Sequence, residues 1–343
     1  MSRSLSYLNL REAKELYPIS ASIPDALFLT CGSFEERSLG SIRKLEGGLP
    51  SLIVVFHYVE PNQERENNMK EMKNVLSGKH LKQDSYHVID VEHGKSVEAI
   101  LDLHRFLKIQ PLSSEPLSIT LDITTFTKDL LINLMYYLTN IVNIGTLRLL
   151  YTVPGGYASP DEGWLSSGIK RIQLPPMVWN GWSPIKQNLL LLILGFEEMR
   201  AWSLIEHFGA DENWIFITNP GALHDWDTSC QRFNQRLLDA RPAKGAIAAL
   251  GTSDTVKTLS RNLTKQLSER YNIFICPLGT KIQIVGVIQF CLSKPQIPCN
   301  IITTTVLRHN VPYYSWGVGG TFELYFPINH LRETRAGLAR GKK

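Results

Sequence analysis

Short β-branched apolar runs alternate along this chain with helical patterns, and the alternation comes twice. Residues 27–39 read LFLTCGSFEERSL and residues 190–204 read LLLILGFEEMRAWSL; each apolar run ends at a glycine, Gly32 or Gly195. Each then continues with Phe-Glu-Glu (Phe34-Glu35-Glu36 and Phe196-Glu197-Glu198), an arginine (Arg37, Arg200) and an amphipathic helical pattern. PSLIVVFHYVEPN (50–62) and NWIFITNPGALHDW (213–226) are β-rich runs that break at Asn/Pro before polar helical stretches. SITLDITTFTKDLLINLMYYL (118–138) and NIFICPLGTKIQIVGVIQFCL (272–292) predict a strand, a turn containing Thr-Lys, and an apolar helix. TLRLLYTVPGGYASP (146–160) and CNIITTTVLRHNVPYYSWGVGG (299–320) close the two copies as strands entering aromatic, Gly/Pro-containing loops.

These features recur in one order at similar spacing, which points to an internal duplication. Any pair of α/β domains would share the rhythm, but not the glycine followed by Phe-Glu-Glu or the Thr-Lys turn. Strands alternating with helices predict parallel sheets with right-handed crossovers. The expected fold class is α/β: two tandem Rossmann-like three-layer domains with mainly parallel sheets. The first domain is expected over 1–173 and the second over 188–343, with LPPMVWNGWSPIKQ (174–187) as a linker rich in proline and tryptophan.

Composition narrows the class. Of the 343 residues, 43% are apolar and 20% charged, as in soluble proteins with sizeable cores. A net charge of +4 falls short of a dedicated nucleic-acid binder, although it leaves direct nucleic-acid binding open. Cys31, Cys230, Cys276, Cys291 and Cys299 form no metal-like spacing and suit reduced thiols in the cytoplasm. The N-terminal stretch carries no signal-peptide core, and the longest apolar run, NLLLLILGF (188–196), fits a buried strand and is too short for a membrane span.

Candidate chemistry lies at the strand-to-helix turns, because ligands of open parallel sheets collect beyond the carboxyl ends of the strands. Helix N-termini there favour anions. In DITTFTKD, the hydroxyls of Thr124, Thr125 and Thr127 can cap the helix or donate to a phosphate. Lys128 adds a mobile positive charge, and Asp122 is suited to accept from a ribose or base, or to orient the lysine. The second copy keeps Gly279, Thr280 and Lys281, with Pro277 near the place of the acid. Gly32, Ser33 and Gly195 put backbone at the same edge. Thr caps and first-turn glutamates are also routine helix chemistry, and Arg37 or Arg200 can pair with a phosphate or bridge a glutamate. Tyr157, Trp164, Tyr313, Tyr314 and Trp316 suit either base stacking or an interface. No GxSxG, HExxH, Walker A or GxGxxG motif is present, and His57, Glu60, His224, Asp225 and Asp227 form no evident ligand set, so no cofactor is expected.

The LDITTFTK turn resembles the Asp-x-Thr-x-x-x-Lys signature of CRISPR-associated Rossmann-fold (CARF) ligand-sensing domains, and LGTK in the second half is similar to its Gly-Thr-Lys part. CGSFEERSL and LGFEEMRAW fall where that family's first ligand-binding loop lies. Phe126 and Thr127 replace the usual glycines, and no acid precedes the second Gly-Thr-Lys. The resemblance implies a pair of sensor domains from prokaryotic antiviral defence, with a nucleotide or cyclic-oligonucleotide ligand held between the halves. It also implies output through an effector partner such as a nuclease or ATPase, since too few residues follow Phe326 for an effector module. The leading expectation is a non-catalytic, cytoplasmic regulatory subunit that binds a nucleotide-like or phosphate-bearing ligand, or a partner protein, at the crevice between its halves. One alternative is an enzyme acting on a nucleotide or nucleic acid, using Asp122, Glu35 and Lys128 as its acid–base set. The other is a ligand-free interaction scaffold.

Overall fold

The computed structural model describes residues 14–15, 25–45, 50–79, 85–110, 116–157, 165–222, 228–311, 314–328 and 331. Trp164, Tyr313, His224, Asp225 and Asp227 lie outside them. In chain order the strands are β1 (Lys14–Glu15), β2 (Leu27–Gly32), β3 (Leu52–Tyr58), β4 (Tyr86–Val91), β5 (Leu117–Asp122) and β6 (Ile144–Tyr157). There follow β7 (Ser166–Gln173), β8 (Gln187–Ile193), β9 (Glu212–Thr218), β10 (Gly245–Ile247) and β11 (Tyr271–Pro277). The last are β12 (Cys299–Ile301), β13 (Thr303–His309) and β14 (Ser315–Phe326). Helices α1 (Gly40–Lys44), α2 (Gln63–Gly78), α3 (Ser96–Ile109) and α4 (Lys128–Asn140) belong to the first half. Helices α5 (Glu198–Phe208), α6 (Ser229–Phe233), α7 (Gln235–Ala240), α8 (Thr252–Asn262), α9 (Lys265–Arg270) and α10 (Lys281–Ser293) belong to the second.

Both halves build the same sheet. The first runs β1-β14-β6-β5-β2-β3-β4 and the second β10-β9-β8-β11-β12. Counting only the parallel strands of each half, the order is third, second, first, fourth, fifth in both. That is the Rossmann order, with the switch point between the first and fourth strands. Every residue of β2 and β11 is buried, as expected of strands covered on both faces by helices. The fold class is therefore α/β with mainly parallel sheets.

The compact units differ from consecutive halves. One unit contains residues 14–157 together with those from 315 onward; the other contains 158–314. Strand β14 returns to pair antiparallel with β6, from Ser315↔Tyr157 to Phe326↔Leu147. Phe322, Leu324 and Phe326 are buried there. Strand β7, which follows β6 in sequence, pairs instead with β13 of the other unit. The last strand of each repeat, β7 or β14, thus pairs with a strand of the other repeat, β13 or β6. The expected boundaries at 173 and 188 miss this, because the ladder joins residues far apart in sequence. Residues 174–187 are bonded to the second unit: Asn180 N–H donates to Asn300 (2.8 Å) and Ser183 N–H to Asn272 (2.8 Å).

Candidate functional site at the two switch points

In the first unit the switch point lies between Gly32-Ser33, after β2, and Asp122–Thr127, after β5. Asp122 is 2% exposed and Thr124 is fully buried. The Asp122 carboxylate accepts from Ser41, from the Thr124 hydroxyl and from Thr124 N–H (3.0 Å). Thr124 Oγ1 in turn accepts from Thr152 N–H at 3.0 Å. Thr125 donates to the Cys31 carbonyl at 2.7 Å, which ties this turn to the end of β2. Burial pushes the Asp122 carboxyl above the ordinary carboxylate value, and the hydrogen bonds from Ser41 and Thr124 pull it partly back.

The sign of that shift sets a pH dependence. A carboxyl raised in the folded state stabilises fully below about pH 4, and the contribution is lost as pH rises through the folded value. Asp122→Asn is expected to flatten this limb of melting temperature against pH, measured from about pH 4 to 7; an unaltered slope would refute the assignment.

Thr127 and Thr280 occupy equivalent positions. Each has extended backbone, each N-caps a 13-residue helix through its hydroxyl, and each is followed by a half-buried lysine, Lys128 or Lys281. Thr127 Oγ1 bonds Tyr58 Oη at the end of β3 (2.6 Å). Thr280 is closed by a capping box with Gln283, whose amide reaches Thr218 at the end of β9 (3.1 Å). Thr280 also donates to the Ala249 carbonyl. Tyr58 and Thr218 therefore do the same task, joining the second strand to the helix start of the fourth.

The glycines are explained by the protein's own packing. A Cβ on Gly32 would run into Met69 of α2, and one on Gly279 into Gln283. A Cβ on Gly195 would lie 2.6 Å from the Leu278 carbonyl, which is backbone and cannot give way. Close approach at these positions is made by side chains and backbone of the same unit. Ser33 is buried and accepts from Glu35 N–H at 3.2 Å.

The Phe-Glu-Glu-Arg turns form matched locks. Arg37 holds Glu35 with two hydrogen bonds (2.9 and 3.1 Å) and donates to the Thr152 carbonyl of β6 at 3.2 Å. Ser315, the first residue of β14, donates to Glu35 at 2.6 Å. In the second unit Arg200 donates to Glu197 (2.8 Å) and to the Thr304 carbonyl of β13 (2.7 Å). Ser166, the first residue of β7, donates to Glu197. Burial works against the Arg37 charge, but Glu35 beside it raises the guanidinium well above its ordinary value, so the arginine stays charged. Asn68 and Asn234 complete the match, donating to the carbonyls of Ser33 (2.9 Å) and Gly195 (2.8 Å). The serines, the asparagines, Tyr58 and Thr218 carry no periodic signal, and only the Glu-Arg spacing hinted at the lock.

Other candidates are engaged by neighbours of their own. Trp316 faces Gly156 across the β6–β14 ladder, and a Cβ on Gly155 would come within 3.3 Å of its indole, so the glycines make room for the ring. His57 sits between Glu66 (3.0 Å) and Asp90 (3.3 Å), while Glu60 accepts from His93 N–H (3.0 Å). Among the described residues no group of three His, Cys, Asp or Glu is placed to hold a metal, and no helix is long and apolar enough to cross a membrane. The Cys230 thiol, beside Gly195, is pushed by burial to about 11.

No family model and no curated protein matches this chain. Among solved structures it is similar to a type III CRISPR defence DNA nuclease activated by cyclic oligoadenylate, with a TM-score of 0.47 and 8% identity. That alignment covers 76% of this chain and 63% of the nuclease, so the chain spans less than two thirds of its length. It is also similar to the cytoplasmic domain of a prokaryotic cation chloride cotransporter (TM-score 0.26, 11% identity, 84% and 99% covered). A functionally unknown protein from Pseudomonas aeruginosa follows (TM-score 0.24, 8% identity, 91% and 98% covered). The Rossmann-like fold rests on the strand order in the two sheets, independently of these likenesses.

Proposed function

We propose that this chain is a non-catalytic sensor subunit that binds a nucleotide-like, phosphate-bearing ligand at the carboxyl edges of its sheets. The observation that carries the reading is the repetition of one corner: a capping threonine, then a lysine at the first helical position, at the switch point of both units. The first N–H groups of a helix lack intrahelical acceptors and carry partial positive charge. Glu35 and Glu197 are held by arginines and Asp122 by hydroxyl groups. In this reading Thr127, Lys128, Thr280 and Lys281 meet the ligand. Asp122, Thr124, Ser33 and the three glycines shape the turns that present them. Burial of Glu35 and Asp122 also speaks for binding over acid–base turnover, because neither carboxyl is open to a substrate. The prokaryotic antiviral setting, and a nuclease or ATPase as effector partner, rest on the CARF-like motif alone.

Calorimetric titration with ATP and with a cyclic oligoadenylate tests this. Losing a charge-assisted contact costs about 1.5–3 kcal/mol, so Lys128→Ala and Lys281→Ala should each weaken binding roughly 10- to 150-fold. Melting temperature should fall by no more than about 4 °C, since an ordinary point substitution costs about 1 kcal/mol. Full affinity in the double variant, or no response of the unaltered protein to either ligand, would overturn the proposal.

A further inference from the structure

Residues 174–185, LPPMVWNGWSPI, contain no charged side chain. Within them Trp179 is 49% exposed, Trp182 52% and Ile185 92%. From Trp179 to Ile185 the chain can span at most about 22 Å, so the three lie within the breadth of a single protein interface. The segment crosses the amino ends of β8, β11 and β12, where three asparagines fasten it. Asn300 accepts from Asn180 N–H and donates its own amide to the Gly181 carbonyl, both at 2.8 Å. Asn272 does the same with the N–H and carbonyl of Ser183, both at 2.8 Å. Asn188 accepts from the Trp182 indole at 3.1 Å. Trp182 is therefore held on both sides of its backbone and by its ring nitrogen, so little ordering is left to a binding event. Single exposed apolar side chains need no explanation, but three on one fastened, uncharged segment do.

We propose that this segment is a self-association surface, on which a second copy of the chain docks about a two-fold axis. Two half-exposed indoles, at up to about 250 Å² each, together with Ile185 offer roughly 350 Å² of apolar surface. A standard interface takes about 800 Å² from each partner, somewhat more than half of it apolar, so the patch supplies most of the apolar area required. An uncharged surface has no sign for a partner to match and is complementary to itself, as a two-fold contact demands. The rim fits the same occupant. Asp211, which accepts from Asn188 N–H (2.7 Å), and Arg270, which donates to Gln187 (3.2 Å), are both exposed beside the segment, so each copy brings both signs. The Thr280-Lys281 corner lies at the opposite, carboxyl ends of these strands, and the inference uses none of the switch-point residues.

Sedimentation equilibrium of the full chain, from about 1 to about 100 μM, tests it. A dimer with Kd on the order of 10 μM or tighter is expected, as for interfaces of standard size. Ile185→Asp should weaken it at least about 100-fold, because two like charges would meet near the axis. At 92% exposure Ile185 has little packing to lose, so this variant should keep the fold by circular dichroism. Trp182→Ala should weaken the dimer by about 30-fold. Ile109→Asp, also exposed (78%) but on α3 of the other unit, should leave it intact and controls for general stickiness. K128A/K281A should dimerise normally and I185D should titrate nucleotide normally, which keeps this result separable from failure of the nucleotide reading. A monomer at every concentration, a dimer indifferent to Ile185→Asp, or equal weakening by Ile109→Asp would each overturn the proposal. So would a monomer that sediments with phosphatidylcholine vesicles through Ile185, because the patch would then serve a lipid surface.

Discussion

Arg37→Met should lower the stability of the unit formed by residues 14–157 and 315–328 by about 3–5 kcal/mol, the cost of stranding a buried carboxylate without its partner. The Glu35 and Arg37 side chains are only 8% and 4% exposed, so water cannot replace the lost guanidinium. Ser315 would remain as a donor to Glu35 but supplies no charge. A fall in melting temperature on the order of 10–20 °C is expected. Adding Glu35→Gln should recover much of it, because the group left behind would then be neutral. Arg200→Met should cost less, since Glu197 and Arg200 are 17% and 12% exposed. Equal losses in the two units, or a double variant no better than the single, would contradict this account of the locks.

A chain ending at Tyr314 should lose the fold of the first unit while keeping that of the second. Strand β14 brings Phe322, Leu324 and Phe326 into the core, all at or below 5% exposure. At about 1.5–3 kcal/mol per buried side chain, the three contribute roughly 5–9 kcal/mol. That is comparable with the whole stability of a typical domain, about 5–15 kcal/mol. The cut also removes Glu323, which lies 3.7 Å from Arg148, itself ion-paired with the buried Asp25. Hydrogen exchange should therefore show β2–β6 unprotected and β8–β12 protected, and a peptide of residues 315–328 should restore protection in the first set. Protection of β2–β6 without β14 would mean that the returning strand is dispensable.

Much of the fold could be read from the residues, and the reasons are physical. Buried parallel strands must be apolar throughout, so LFLTCG and YNIFICP announced themselves. Thr127 and Thr280 sit one residue before apolar helical patterns, where capping chemistry leaves a visible signature. The exchange of β7 and β14 was not legible, because strand pairing across some 170 residues leaves no local mark; Tyr157 meets Ser315 only in the folded sheet. The glycines misdirect for a related reason. A residue without Cβ signals that something comes close, but not whether it is a ligand or Met69, Gln283 and the Leu278 carbonyl.

The reciprocal pairing of last strands also says what a lone repeat would be. A polypeptide with one copy of this connectivity has a closing strand that reaches away from its own sheet, so it completes that sheet only by meeting a second molecule. Its folding would then depend on concentration, as for an obligate homodimer. Covalent fusion of two copies turns that encounter into an intramolecular event of high effective concentration, and once fused, the halves are free to diverge at their edges while each still completes the other.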